Sequence, residues 1–266
     1  MGPQRQSLEA TLRSDFGEQR LVRSGMNLFN RMSLVPREPL QLMPVVWVDW
    51  RDGAFGLEVR EAEWWPVVMN GARLPAGRHA LHDGQRFTVG QTELRYHFTR
   101  RTWPVDLERE RALLVRDDDA AWAIYADELL TREDPLGAVL ARSPAPDVVM
   151  GLEVQPLLAR HALSFVADAR GLWREVTFRH ELTAGALWGG ALEAVLTHPI
   201  AWFVHRVTLA LTPAGRDFRQ ALVAQAQQSA LDVGRAASPH LRELHVPRLP
   251  PRAALPSPRE GVRVSR

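Results

Sequence analysis

From Leu40 to about Phe98 the hydrophobic residues fall in short runs separated by turn-forming residues, which predicts strands and turns. The runs VVWVDW (45–50) and FGLEV (55–59) are separated by a short RDG stretch, in which Gly53 can adopt a positive φ. Two short apolar runs joined by a glycine-containing turn predict a β-hairpin.

Asn70 and Gly71 separate two further extended runs in the same part of the chain. Beyond them, Leu94, Tyr96 and Phe98 alternate with polar residues and therefore share one face of a strand. Short strands joined by tight turns are typical of a β-sandwich, so we predict a small sandwich in this region.

The second part of the chain changes to helical spacing, which predicts helices over 105–116 and 119–131. The second helix carries one apolar stripe, formed by Trp122, Tyr125, Ala126, Leu129 and Leu130.

The acidic run before that helix has a structural explanation. One of Asp117, Asp118 and Asp119 is expected to cap the helix, because a carboxylate there accepts free backbone N–H groups and meets the positive end of the helix dipole. Pro135 is expected to end the helix, since proline cannot continue the hydrogen-bond ladder.

A weak internal repeat occupies the last third of the chain. The segments REVTF (174–178), HRVTL (205–209) and RELHV (242–246) align with one another, and the stretches 184–197 and 214–231 between them have helical apolar spacing. Consecutive strand–helix units predict a short solenoid.

Composition excludes several classes of protein. The 266 residues are 45% hydrophobic, carry a formal net charge of +2, and include no Cys, so disulfides and thiolate chemistry are excluded. Neither a signal peptide nor a membrane-spanning run is apparent, and we expect a cytoplasmic protein. The Pro- and Arg-rich tail (247–266) contains few apolar residues, which predicts disorder.

Candidate catalytic chemistry is sparse. Asp127 and Asp134 could act as paired carboxylates, but capping and solvation explain them better, because they flank one helix end without a nucleophile nearby. The histidines lack metal-ligand spacing; RHELT (179–183), for example, has no second His. Phosphate-binding glycine motifs are absent as well. We therefore predict no metal site and no cofactor.

The segment LVRDDDAAWAIYADELLTREDPLGAVLA (114–141) resembles the short helical repeat-companion domain of myxobacterial and planctomycete paralogous families. The resemblance is carried mainly by Asp117, Tyr125, Asp127, Asp134, Pro135 and Gly137. In that family the domain often precedes leucine-rich-like strand–helix repeats, which residues 171–246 resemble. The resemblance implies structural roles for these residues and no catalysis.

The segment VVMNGARLPAGRHALHDGQRFTVGQTELRYHF (67–98) resembles the C-terminal half of a forkhead-associated (FHA) domain. Its match consists of Asn70-Gly71, Leu81, Asp83-Gly84, Phe87 and Val89-Gly90. That family holds phosphothreonine with a Gly-Arg pair, a Ser-x-x-His and the Asn before the Gly, and only Asn70 has a counterpart here. A phosphate without an Arg partner loses its main charge-assisted contacts.

Together these patterns predict an α+β chain of two domains. Residues 1–20 would be an N-terminal extension and 21–103 an FHA-like β-sandwich. Residues 104–246 would contain the companion helices and a leucine-rich-like strand–helix solenoid, followed by the disordered tail 247–266.

We expect a non-enzymatic protein–protein interaction scaffold or adaptor in a bacterial cytoplasm. Its partner would be a protein, phosphorylated or not, with no insertion into membranes. The candidate binding residues are Asn70, Gly71, Arg73, Trp64 and Trp65. The alternative is a phosphothreonine-dependent signalling adaptor acting with Ser/Thr kinases, for which an Arg within 20–37 should reach the Asn70 loop. An enzyme using Asp127 and Asp134 ranks third, and weak nucleic-acid binding by the Arg-rich tail ranks fourth.

Overall fold

The computed structural model describes residues 3–23, 27–28, 46–51, 53–60, 66–116, 118–141, 163–182, 188–213, 219–247 and 254–265. Trp64, Trp65 and Asp117, which the sequence singled out, lie outside these residues. The chain divides into two compact units, one of residues 8–101 and one that combines residues 1–7 with 102–266.

The unit of residues 8–101 contains two sheets. The six-stranded sheet has the order β2-β1-β10-β9-β6-β7 and the four-stranded sheet has the order β3-β4-β5-β8. The strands of the larger sheet are β1 (Gln4–Ser14), β2 (Gly17–Arg20), β6 (Val67–Met69), β7 (Ala72–Arg73), β9 (Arg86–Val89) and β10 (Thr92–Pro104). The smaller sheet contains β3 (Asn27–Leu28), β4 (Val46–Arg51), β5 (Ala54–Val59) and β8 (Gly77–Ala80).

One hydrophobic core joins the two sheets into a β-sandwich. Alternate residues of both sheets point inward, as a period of two requires, and are buried together. Phe55 of the smaller sheet lies edge-on to Tyr96 of the larger one, with ring centroids 6.4 Å apart. The predicted shared face of Leu94, Tyr96 and Phe98 is confirmed, since the first two are buried and Phe98 packs against the same core.

Two predicted turns of the sandwich are confirmed by backbone conformation. Gly53 has a φ of 78° in the turn that pairs Arg51 with Ala54. Asn70 and Gly71 have φ values of 53° and 78° and connect β6 to β7 as a two-residue hairpin loop. Two consecutive positive φ values match the right-handed twist of the flanking strands, which explains the Asn-Gly pair.

The predicted N-terminal extension (1–20) is instead part of the folded chain, because residues 4–14 and 17–20 form β1 and β2. Ala10 and Leu12 alternate with polar residues and are buried in the sandwich core. Charged residues on the outer face mask this two-residue period, so the sequence reads as polar although it forms an amphipathic strand.

The second unit contains five helices among its described residues, together with a short 3-10 turn at Pro199–Ala201. The helices are α1 (Leu107–Arg116), α2 (Asp119–Thr131), α3 (Pro135–Ala141), α4 (Trp188–Leu196) and α5 (Arg219–Ala236). Its five strands form a sheet of order β11-β12-β13-β14-β15, with β11 (Ser164–Ala167), β12 (Trp173–Leu182), β13 (Arg206–Pro213), β14 (Glu243–His245) and β15 (Arg263–Ser265).

The start of α2 agrees with the prediction and its end differs. Asp118 is the N-cap, and its side chain accepts hydrogen bonds from the backbone of Ala120 and Ala121. The helix ends at Thr131, before Pro135, and Pro135 begins α3 instead. This position suits proline, because the first N–H of a helix needs no intrahelical partner. Leu130, predicted to lie on the apolar stripe, is 43% exposed.

The three aligned repeat segments form neighbouring parallel strands, β12, β13 and β14. The sheet register pairs Val176 with Val207 and Val207 with Leu244, as the repeat alignment does. The parallel strands lie side by side in the order in which they occur along the chain. α4 lies between β12 and β13 in the sequence, and α5 lies between β13 and β14. A leucine-rich-like solenoid remains a prediction.

The end of the predicted disordered tail is ordered. Residues 263–265 form β15, which pairs in parallel with β14, and Val262 is buried. The fourth parallel strand, RVS (263–265), has the same charged–apolar–polar pattern as the other three, but the Pro-rich composition before it predicts disorder instead. In the part of the chain that is described, no helix is long and apolar enough to cross a membrane.

Candidate interaction surface

The parallel sheet buries one face and exposes the other. On its buried face, residues such as Val176, Val207 and Leu244 pack with apolar residues of α4 and α5 in one core. The other face, which we call the open face, carries side chains that are half-buried or exposed. This asymmetry follows from the side-chain period of two, with α4 and α5 packed on the buried side.

Two rows of side chains cross the open face at right angles to the strands. The first row contains a charge ladder, which we define as Glu175, Arg206, Glu243 and Arg263, one residue from each parallel strand. The second, which we call the hydroxyl row, consists of Ser164, Thr177, Thr208, His245 and Ser265.

The charge ladder alternates in sign and pairs internally. Arg206 Nη2 lies 3.1 Å from Glu243 Oε2, and Arg206 Nη1 lies 3.8 Å from Glu175 Oε2. Arg263 Nη2 lies 3.2 Å from the same oxygen of Glu243. The ladder stays accessible at three positions, where the exposed fractions of the Glu175, Arg206 and Arg263 side chains are 36%, 39% and 75%.

Glu243 is the most enclosed member of the ladder, with its side chain 13% exposed. The hydroxyl of Ser265 donates a 2.8 Å hydrogen bond to Glu243 Oε1. This hydrogen bond lowers the pKa of Glu243, and Arg206 and Arg263 lower it further. Together they outweigh partial desolvation, which would raise the pKa, and bring it to about 2. The ladder therefore keeps its alternating charges at physiological pH.

The hydroxyl row contains short hydrogen-bonding side chains. His245 Nδ1 lies 3.0 Å from Ser265 Oγ, which connects the two C-terminal strands. Thr177 and Thr208 are half-buried neighbours on the central strands. Apart from His245, these side chains are small, so the row is shallow beside the longer residues of the ladder.

The segment that precedes β15 is attached to the end of α5. Arg259 donates hydrogen bonds to the carbonyls of Ala237 (3.3 Å) and Ser238, which lie just past the helix. Gly234 lets the backbone of Pro258 approach, because a Cβ at Gly234 would lie 2.2 Å from the Pro258 carbonyl oxygen. These contacts position the last member of the charge ladder.

Side chains from distant parts of the chain surround a buried carboxylate, Glu110 of α1, which is 0% exposed. Its Oε1 accepts hydrogen bonds from Tyr125 Oη (2.6 Å) and Arg5 Nη1 (2.8 Å). Its Oε2 accepts one from Trp202 Nε1 (2.9 Å) and lies 2.7 Å from His240 Nε2. We call these five residues with Asp134 the Glu110 cluster.

Charge and hydrogen bonds keep Glu110 ionised. Burial would raise its pKa, but the hydrogen bond with His240 and the charge of Arg5 outweigh burial and lower the pKa to about 2. Arg5 in turn donates from Nε to Asp134 Oδ2 at 2.9 Å, and its guanidinium lies 4.6 Å from the centroid of the Trp202 ring. Every charge of this cluster therefore has a partner of opposite sign.

The other motif residues have structural positions. Asp134 is 1% exposed and also accepts a 3.0 Å hydrogen bond from the Leu136 backbone N–H. Gly137 lies so close to α2 that a Cβ would be 2.6 Å from the backbone nitrogen of Leu130. Asp127 is exposed, so it does not share the buried environment of Asp134.

The predicted binding residues of the sandwich are only partly described. Asn70, Gly71 and Arg73 are exposed in and beside the β6–β7 turn. Of the Arg residues within 20–37 that the phosphothreonine alternative requires at that turn, Arg31 and Arg37 lie outside the described residues. Arg23 is 7% exposed and lies over the ring of Trp50, 5.9 Å from its centroid.

Comparisons with known proteins concern about a third of the chain. No family model matches it, and no curated protein does. Its structure is similar to the first FHA domain of Mycobacterium tuberculosis Rv1747, with 15% identity and a TM-score of 0.29 over 34% of this chain and 96% of that domain. The FHA domain of Rv0020c is 19% identical, with a TM-score of 0.27 over 35% of this chain and 95% of that one. A structure from a study of phosphothreonine-dependent FHA domain interactions is 18% identical, with a TM-score of 0.25 over 34% and 95%.

Sequence reasoning missed the residues of the open face. The signal was present in the repeat alignment, where Glu175, Arg206 and Glu243 occupy equivalent positions and alternate in sign. Equivalent repeat positions become neighbours across a parallel sheet, so alternating charges at one position indicate a ladder. The Glu110 cluster left no such signal, because Arg5 and His240 are 105 and 130 residues away from Glu110.

Proposed function

We propose that this chain is a non-enzymatic protein–protein interaction scaffold or adaptor of a bacterial cytoplasm, whose partner binds the open face of the parallel sheet. The observation that carries the proposal is the asymmetry of that sheet. Apolar residues of β12, β13 and β14 pack against helices, whereas the opposite side presents the charge ladder and the hydroxyl row.

A broad polar face suits a macromolecular partner better than a small substrate. Small-molecule sites are concave and largely apolar, whereas protein interfaces are wide, with hydrogen bonds distributed over them. Rigid strands fix the positions of Thr177, Thr208 and the ladder residues before binding, which lowers the entropic cost of association.

The non-enzymatic part of the proposal is supported by the environment of the two candidate catalytic carboxylates. Asp134 engages Arg5 and the start of α3, and Asp127 lies in solvent. A general acid and base must face one reacting group, whereas Asp134 faces Arg5 in the core and Asp127 faces solvent. Their positions fit capping and packing.

Position-specific cross-linking tests the proposal. A photoreactive amino acid replaces Thr208 on the open face, and in a matched control it replaces Ala112, which is exposed on α1 of the same unit. In host lysate we expect the Thr208 variant to capture a discrete protein that the Ala112 variant does not capture. Equal capture from both positions, or none from either, would contradict the proposal.

A second candidate, a phosphothreonine-dependent adaptor acting with Ser/Thr kinases, is favoured by the exposure of Asn70 at the tip of a tight turn with Arg73 close by. Asn70→Gly removes the side-chain amide and preserves the turn, because glycine tolerates a φ of 53°. If this candidate is right, Asn70→Gly weakens binding to a phosphothreonine peptide library about tenfold and leaves binding to the unphosphorylated library unchanged.

A further inference from the structure

The spacing of the charge ladder discriminates between kinds of partner. Neighbouring strands lie about 4.8 Å apart, so the three steps from Glu175 to Arg263 span about 14 Å. An α-helix presents one residue per turn to a surface, and three turns span about 16 Å. An extended strand presents every second residue, and three such steps span about 20 Å.

The spacing of residues along a helix that lies across the strands therefore matches the spacing of the ladder, whereas the spacing along an extended peptide is too long. A helix with side chains is roughly 10 Å wide, and alternate residues of a strand are about 6.8 Å apart. One helix can thus cover the ladder and the hydroxyl row together. The short side chains of Thr177, Thr208 and Ser265 leave room for the helix body beside the longer ladder residues.

The sign pattern restricts the partner further. Along the ladder the charges run negative, positive, negative, positive, and they sum to zero. A uniformly charged partner would meet as much repulsion as attraction, whereas a partner that alternates in sign would meet attraction at each step. At 36%, 39% and 75% exposure, Glu175, Arg206 and Arg263 can contact such a partner without leaving their own pairs.

From this geometry we propose that the open face receives a partner α-helix lying across the strands, whose contacting face alternates basic and acidic residues once per turn. This inference rests on the proposed function of the open face and specifies the partner's chemistry. The partner helix places a basic residue at Glu175 and Glu243 and an acidic residue at Arg206 and Arg263.

Two synthetic helical peptides of about four turns, identical in composition, test the inference. One alternates Arg, Glu, Arg, Glu at one position per turn, and the other has the block order Arg, Arg, Glu, Glu. The alternating peptide pairs opposite charges at all four positions in one direction of the helix and like charges in the other, so it is free to bind in the matching direction. The block peptide makes two attractive and two repulsive pairs in either direction. We expect the wild-type chain to bind the alternating peptide about tenfold more tightly, since each surface ion pair contributes a fraction of a kcal/mol.

The double substitution R206E/E243R converts the ladder itself into a block pattern with unchanged net charge. The proposal requires this variant to reverse the preference and bind the block peptide more tightly. A second double variant, R206Q/E243Q, should bind the two peptides equally, which keeps the test valid if the first variant does not fold.

Equal binding of both peptides by the wild-type chain, no binding of either, or a preference that does not reverse would overturn the inference. A protein captured by cross-linking from Thr208 would then still support a partner at the open face, but one that is not a helix with alternating charges. Loss of that cross-linking, in contrast, would remove the proposed function together with this inference.

Discussion

Glu110 and Glu243 have the same lowered pKa, about 2, for different reasons. Glu110 lies in the core, where burial opposes its charge and partners from distant parts of the chain overcome that opposition. Glu243 lies on the open face, where a hydrogen bond from Ser265 and two Arg residues are enough to lower its pKa, because water also solvates its charge. A similarly lowered pKa can therefore arise in a buried cluster and on the open face of a sheet from different causes.

The largest difference should appear when each carboxylate is removed. Glu110→Ala leaves four donors, Arg5 among them, without their acceptor in the core. We expect it to lower the free energy of unfolding by about 3–5 kcal/mol, measured by urea denaturation. The exposed Glu108→Ala on the same helix is the control and should change stability by less than about 0.5 kcal/mol. A loss below about 1 kcal/mol for Glu110→Ala would show that the cluster is not the stabilising element we describe.

Acid should remove the contribution of Glu110 in a defined window. Its folded-state pKa of about 2 lies below the ordinary value of 4.5, so ionised Glu110 stabilises the fold fully above pH 4.5 and loses this effect as the pH falls towards 2. The change amounts to about 3 kcal/mol. Urea denaturation of the wild type and of Glu110→Gln between pH 7 and pH 2 measures it. The stability difference between the two chains should shrink with falling pH, and a constant difference would contradict the prediction.

Packing between α2 and α3 should matter to the buried cluster, because α3 begins beside Asp134. In Gly137→Ala the new methyl group would lie 2.6 Å from a backbone nitrogen of α2. We expect a loss of about 2 kcal/mol by thermal or urea unfolding, since the helices must move apart. Ala123→Ser on the exposed side of α2 serves as control. An unchanged stability would show that the two helices separate without cost.

The smallest effect on global stability should come from Glu243, the carboxylate on the open face. Glu243→Ala should cost less than about 1 kcal/mol, because surface ion pairs contribute little. Its effect should be local: amide hydrogen exchange should become faster in β15, which pairs with β14 beside this carboxylate. Glu260→Ala, at an exposed site in the same segment, should leave β15 unchanged. If the amides of β15 stay equally protected from exchange in Glu243→Ala, the ladder does not help to hold β15 on the sheet.

Local patterns allowed much of the fold to be predicted. The Asn70-Gly71 hairpin and the Asp118 cap depend on neighbouring residues, and both agree with the structure. The register of β12, β13 and β14 followed from the repeat because equivalent positions pair across a parallel sheet. These features need no knowledge of distant contacts.

Features that depend on distant contacts could not be predicted. Arg5 reads as one polar residue in a polar terminus, and only its position beside Asp134, 129 residues later, makes it part of a core. Composition was misleading at the other terminus, where β15 is only three residues long and follows a Pro-rich stretch. Its order derives from β14 and from the contacts of Arg259 rather than from its own sequence.

The Glu110 cluster has a consequence for synthesis on the ribosome. Arg5 is made 129 residues before Asp134, and His240 lies 130 residues beyond Glu110. Because the ribosome adds about 5–20 residues per second, roughly ten seconds or more pass between the synthesis of Arg5 and that of His240. A chain interrupted before His240 therefore leaves the buried Glu110 carboxylate without one of its four hydrogen-bonding partners.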